Sequence, residues 1–356
     1  MSFVAERAYS YAAASGNVLA ASLLSSVAQP LFGVVTDRWA LPWLLPLSAL
    51  AAGAGVAVSG VGGSYALTLA AVAVSGAGVA AHHPQAARAA RAVAGGHTAM
   101  GWFALGGNVG FALAPLLVSA VVGGGGLRAT WLLVVPALAG AVLCAAAVRS
   151  PGVRTAGAAA AERAGADDWP AFLRLSGAVV CRSIVFVGLS AFVALYVRER
   201  AGGGAVAGTV ALCVFYAGGA VGTPAESRLA GRYGRLVVVR RSYLVTVFAV
   251  AGVVCVPGPA LYVFVGLASA GLYVPFSLHV TLGQDCLPRR TGTASGVTLG
   301  LAVSVGGVVA PGLGALADAT SLRVGSAPLV VPPVVAWLLL RGLREPVPAG
   351  RALERT

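Results

Sequence analysis

The chain of 356 residues is 58% hydrophobic and only 10% charged, whereas a soluble domain carries about 25% charged residues. Its formal net charge of +13 comes from 24 arginines and no lysine. A nucleic-acid-binding domain is excluded because the basic face and motif it needs are missing. An enzyme is excluded because no nucleophile–base pair and no metal-ligand set stands out.

Met1 to Tyr11 holds Glu6 and Arg7 and no cleavable apolar region, so no signal peptide is expected. Apolar spans then follow at Gly16 to Thr36, Pro42 to Gly60, Tyr65 to Ala81, Thr98 to Val122 and Thr130 to Val148, each near the roughly 20 residues a bilayer requires. In the first, Ser15, Ser22, Ser26 and Gln29 fall within about 60° of each other at 100° per residue. That stripe suits a cavity wall, or equally a helix contact with the serines bonded to backbone carbonyls.

The third span ends in GVAAHHPQAARAAR, Gly78 to Arg91. His82 and His83 are adjacent and so do not share a helix face, and no carboxylate or cysteine completes a zinc set, so no metal is expected. Pro84 is expected to end or kink the span, with Arg88 and Arg91 on one side of a short cytoplasmic helix. Two readings stay open: an interfacial turn with arginines at the phosphate level, or histidines that sense protons or face substrate at the mouth of a pathway. In the fourth span Gly106, Gly110 and Ala114 recur every fourth residue, a spacing that lets helices approach closely, and Pro115 marks a bend. Asn108 of the same span is a candidate for the substrate pathway.

The stretch from Arg149 to Asp168 is the longest polar segment and is expected to link two halves. Beyond it come spans at Leu175 to Val197, Val206 to Ala225, Val237 to Val256, Ala260 to Leu282, Gly292 to Ala317 and Gly325 to Leu340, making eleven in an all-α polytopic membrane protein. Arg182 is the only charge between Leu175 and Val197 and sits about 11 Å from that span's cytoplasmic end. It either snorkels to the interface or faces an internal anionic substrate or carboxylate. The acidic residues all fall in loops, tails or at span ends. A proton-driven pump needs a titratable group within the membrane, which leaves His82, His83, His279 and Glu226 as coupling candidates. His279 joins Arg182, Gln29, Ser22, Ser26 and Asn108 as candidate pathway residues. In the tenth visible span Gly296, Gly300 and Ser304 repeat the small-residue spacing, and Pro311 marks a bend. The cysteines are scattered singly and suggest core residues.

With Met1 outside and the chain alternating, 18 arginines fall on the inside against five outside, which puts the C-terminus in the cytoplasm. GGNVGFALAP (Gly106 to Pro115) aligns with AVSVGGVVAP (Ala302 to Pro311) at an offset of 196, which also carries His83 onto His279. Two related halves are therefore expected: a bundle of five spans over 1–148, a linker over 149–170, a bundle of six over 171–342 and a tail over 343–356. The same offset places the counterpart of Leu175 to Val197 before Met1, so the first helix of a six-helix half is expected to be missing.

GVVTDR (Gly33 to Arg38) and SRLAGRYGR (Ser227 to Arg235) resemble the cytoplasmic loop motif of the major facilitator superfamily and its repeat. The resemblance implies that Gly33 permits close helix approach and that Asp37 pairs with arginines to latch the cytoplasmic gate. Arg38 belongs to the same copy, and Arg228, Arg232, Gly234 and Arg235 match the second. Gly231 stands where that second copy usually has aspartate. SSVAQPLFG, HHPQAARAAR, GGNVGFALAP and TGTASGVTLGL resemble segments of the fosmidomycin-resistance-like branch of drug efflux proteins. That resemblance implies a monomer in a bacterial inner membrane, exporting a small-molecule substrate against protons, with no cofactor and no nucleic acid. Uptake of an anionic solute and a degenerate copy that no longer transports are the alternatives.

Overall fold

The structure, a computed structural model, describes residues 7, 11–39, 41–94, 97–149, 165–201 and 204–345. Among them are helices and turns and no strand. The helices are α1 (Tyr11–Arg38), α2 (Leu44–Ser59), α3 (Tyr65–Ala94), α4 (His97–Gly125), α5 (Val134–Arg149), α6 (Trp169–Ala201), α7 (Gly204–Tyr233), α8 (Arg235–Cys255), α9 (Leu261–Tyr273), α10 (Pro275–Cys286), α11 (Thr291–Ala319), α12 (Leu322–Ser326) and α13 (Val331–Arg341). A 3₁₀ turn at Leu127–Leu133 leads into α5, and another at Ala327–Val330 joins α12 to α13.

Eight segments among the described residues are long and apolar enough to cross a membrane, including Tyr65–Arg91, Trp169–Arg200, Leu261–Cys286 and Thr291–Ala319. Their outward faces carry bulky apolar side chains: Phe248 is 74% exposed and Leu143 69%. Polar groups such as Thr68, Ser269, Gln284 and Thr298 are buried instead. This inverted pattern fits a hydrocarbon solvent, in which every backbone group must be satisfied internally and helices are the natural solution.

Pro84 does not close the third span, as its position had suggested. Helix α3 runs unbroken through it to Ala94. Proline forfeits one backbone bond to the preceding turn. In an apolar medium, opening the helix would strand several more backbone groups. Pro30 in α1 and Pro311 in α11 are accommodated in the same way.

The chain divides into two compact units: Met1–Ala94 with Gly106–Gly165 and Pro288–Gly300, and Gly95–Leu105 with Ala166–Leu287 and Leu301–Thr356. Helix α11 therefore contributes its start to the first unit and its remainder to the second. Residues 150–164 of the expected linker and the tail beyond residue 345 lie outside the described residues.

Within the first unit, α3 packs on α1 and α2, and α2 packs on α5. Thr130 Oγ1 donates to the carbonyl of Ala57 at 2.8 Å, tying the turn before α5 to α2. Within the second unit, α6 packs against α7, α10 and α13, while α8 packs against α9, α10 and α13. One apolar cluster there contains Val185, Tyr196, Phe215, Val250 and Leu272. A second, containing Leu175, Leu236, Tyr243, Leu278 and Leu340, lies along the other halves of the same helices. Buried tyrosines need a partner for their hydroxyls: Tyr196 donates to the carbonyl of Val254 at 3.0 Å and Tyr243 to that of Ala178 at 2.8 Å.

Candidate functional site

Two arrangements gather most of the polar chemistry, one in each unit. In the first, Asp37 in the last turn of α1 reaches the start of α11. Its carboxylate accepts from the backbone N–H groups of Gly292 and Thr293, both at 2.7 Å, and from Thr293 Oγ1 at 2.6 Å. The first amides of a helix have no intrahelical acceptor, and the residue before α11 is Arg290, whose side chain accepts nothing, so Asp37 supplies the cap from another helix. A negative charge there also meets the favourable end of the helix dipole. Arg88 of α3 lies 3.7 Å from Asp37 and donates to the carbonyl of Thr36 at 2.6 Å.

This approach depends on glycine. A Cβ on Gly292 would stand 2.6 Å from the carbonyl oxygen of Gly33, and one on Gly300 would stand 2.6 Å from that of Ser26. Gly296 faces Gln29 in the same way. Gly292, Gly296 and Gly300, one per turn at the start of α11, thus lie against α1 backbone. Replacing Asp37 by asparagine removes the charge and part of the acceptor set. A lost cap costs about 1 kcal/mol and the charge a further 0.3–1. Transport is expected to fall roughly tenfold at unchanged membrane abundance. Wild-type rates in Asp37→Asn would show the cap to be dispensable.

The second copy of the loop motif is built differently. Gly234 between α7 and α8 has φ +85°, a left-handed conformation that favours glycine. Arg235 is buried and bonds both Asp285 of α10 and Glu345 after α13, the latter at 3.0 Å. Arg235 of the motif copy in which Gly231 takes the place of aspartate is thus paired with two carboxylates. Arg240 holds the same region by donating to the carbonyls of Leu340 and Leu343. Arg38, Arg228 and Arg232 are exposed, with Arg232 over the ring of Tyr233.

The second arrangement surrounds Arg182 in the second unit. Arg182 is only 3% exposed and does not snorkel. Its Nε donates to the carbonyl of Leu272 at 2.6 Å, and its guanidinium carbon lies 5.3 Å from the centre of the Phe186 ring and 4.9 Å from that of Phe276. Glu226 follows the apolar segment Val206–Thr223 by three residues, at the span end where the sequence had put it. It lies inside α7, 1% exposed, where its carboxylate accepts from Ser277 Oγ of α10. His279 is 2% exposed, and its Nε2 is 3.2 Å from the hydroxyl of Tyr243. Arg182 and Glu226 lie within electrostatic reach of each other. Among the described residues no carboxylate comes within 4.0 Å of the guanidinium. Ser277, Tyr243 and the Leu272 carbonyl escaped the sequence reading. Pro275 in the middle of an apolar span was the signal that pointed to them.

The remaining candidates are scattered. Gln29 and Ser26 are buried at the contact with α11, where Gln29 Nε2 donates to the carbonyl of Ser25 at 2.6 Å and its Oε1 has no partner among the described residues. His82 and His83 are half-buried on the continuous α3, with His82 Nδ1 3.3 Å from Ser48 Oγ. The side chains of Ser22, Asn108 and Pro115 lie outside the described residues. Among the described residues, a Cβ on Gly106 or Gly110 would meet nothing within 4 Å.

Helices with apolar outer faces, a helix end capped from another helix, and buried charges beside a proline-containing span define a multi-span membrane transporter rather than an enzyme. The family model of the Major Facilitator Superfamily matches residues 2–311, and the chain belongs to that superfamily. It is 30% identical to the uncharacterized MFS-type transporter YfnC of Bacillus subtilis, over 89% of this chain and 81% of that protein. It is 28% identical to the fosmidomycin resistance protein of Escherichia coli, over 85% and 77%. In fold it resembles the E. coli fucose:proton symporter FucP in the outward conformation, with a TM-score of 0.76 at 14% identity over 94% of this chain and 90% of that one. It likewise resembles the human organic anion transporter MFSD10, with a TM-score of 0.72 at 17% identity over 92% and 83%.

Proposed function

We propose that this transporter exports small organic molecules from a bacterial cell in exchange for protons, by alternating access, as a monomer in the inner membrane. The observation that carries the reading is Glu226, a carboxylate buried among helices of the second unit and bonded to Ser277. An ionisable group at such a place is costly to maintain and serves proton or substrate movement. The similarity to a fosmidomycin resistance protein supports export of a small organic compound. The capped start of α11 supports a gate latched through Asp37, and the arginine distribution supports a cytoplasmic C-terminus.

Inverted membrane vesicles test exchange directly. Respiration acidifies their interior, and addition of fosmidomycin, with a panel of small organic compounds beside it, is expected to release protons from vesicles that contain this chain and not from empty ones. Uptake of the compounds that ignores the proton gradient would overturn the reading. A reporter fused after Arg149 is expected in the cytoplasm and one after Gly203 in the periplasm. A cytoplasmic Gly203 would invert the arrangement.

A second reading, transport of an anionic solute docked on Arg182, is favoured by the outer nitrogens of its guanidinium. They meet no acceptor among the described residues, although the side chain is buried.

A further inference from the structure

Within the span Leu261–Cys286, α9 passes into α10 at Val274, which keeps helical dihedrals and donates to the carbonyl of Ala270 at 3.0 Å, directly before Pro275. Pro275 has no N–H to continue the ladder, and its ring crowds the carbonyl of Gly271, four residues back. The last turn of α9 and the first turn of α10 thus lose part of their mutual support.

Each side of the proline is gripped by a different buried charge. On the α9 side Arg182 of α6 donates Nε to the carbonyl of Leu272. On the α10 side Glu226 of α7 accepts from Ser277, two residues past the proline. Both elements pack on α6 and α8, but their remaining polar contacts go to different helices. Ser269 of α9 donates to the carbonyl of Phe215 in α7, while His279 of α10 contacts Tyr243 of α8. All four polar side chains beside the proline, Arg182, Glu226, Ser277 and His279, are at most 3% exposed.

Two opposite buried charges within reach of each other would ordinarily pair. Here each instead holds a neutral group flanking the proline, so the Ser277 contact competes with the ion pair for the same carboxylate. The geometry points to a hinge: Pro275 is the pivot, Arg182 and Glu226 are the clamps, and a proton on Glu226 loosens α10 while α9 stays fixed. A neutral carboxylic acid accepts a hydrogen bond more weakly than a carboxylate does, so protonation weakens the grip on Ser277 first. The charged group that reaches Glu226 is Arg182 of α6, and Arg182 is in turn reached by Tyr243 of α8, Tyr273 of α9 and His279 of α10. Of these, His279 is the rival proton carrier.

This hinge rests on the reading of Glu226 as the proton carrier. Its test therefore uses neither substrate nor gradient, so that a rigid α10 and a failed exchange assay are separate outcomes. The measurement is amide hydrogen exchange of the full chain in lipid nanodiscs at two pH values, corrected for intrinsic rates. Losing a hydrogen bond to a charged group is worth about a tenfold increase in local opening. Glu226→Gln and Ser277→Ala are each expected to raise exchange in α10 by about that factor and to leave α9 unchanged. In wild type, α10 exchange should rise as pH falls, and it should still do so in His279→Gln but not in Glu226→Gln. Equal α10 exchange in wild type, Glu226→Gln and Ser277→Ala overturns the hinge. A pH response that persists in Glu226→Gln and vanishes in His279→Gln assigns the proton to the histidine and overturns it as well.

Discussion

Replacing Arg182 by alanine is expected to reduce transport roughly 10- to 100-fold, because an unsatisfied buried acceptor costs about 1–3 kcal/mol and each 1.4 kcal/mol is a decade. The Leu272 carbonyl loses its donor, the space between Phe186 and Phe276 is vacated, and Glu226 loses the nearby positive charge. Arg182→Lys separates the contributions. Lysine keeps the charge, but an ammonium cannot lie flat between two rings while donating sideways to a carbonyl, as a planar fork does. Lysine is therefore expected to recover only a small part of the lost rate. The check is transport of the same solute in cells holding equal membrane amounts of wild type and both variants. Full activity in Arg182→Lys would mean that a positive charge alone suffices, and the stacked geometry would lose its role.

The helical class and the spans were legible in the sequence because apolar length is a property of the chain itself. Each of the eleven expected spans is a helical segment in the structure. The four-residue spacing of glycines in α11 was legible too, although the partner backbone at Ser26, Gln29 and Gly33 was not, since it lies more than 250 residues away in sequence. The same spacing at Gly106 and Gly110 has no such partner among the described residues, since spacing alone reports only that a close approach is permitted. Of the two expectations for Pro84, an end or a kink, the end does not occur, because a proline's cost depends on the medium: in water a helix opens there, whereas among lipid-spanning segments it continues. Glu226 was legible as an acid at a span end, just beyond Val206–Thr223, but its burial was not, since α7 continues to Tyr233 and keeps the carboxylate among packed helices. Gly231 suggested an incomplete second motif, yet Asp285 and Glu345 bring carboxylates to Arg235 from segments no local pattern connects to it.

Glu226→Gln is expected to uncouple the transporter while leaving it folded. Glutamine matches glutamate in shape but accepts from Ser277 only as a neutral amide, so the packing of α7 on α6 and α9 is preserved while the charged grip on α10 is lost. It cannot carry the exchangeable proton. Without that proton the driving gradient has no route into the cycle, although solute is still free to equilibrate by exchange across the same gate. The direct measurement is solute movement in proteoliposomes with and without an imposed pH gradient. Wild type is predicted to concentrate solute only when the gradient is present, and Glu226→Gln to show the same slow equilibration in both conditions. Accumulation by Glu226→Gln that matches wild type and collapses with the gradient would contradict the account, because the coupling proton would then ride on another group.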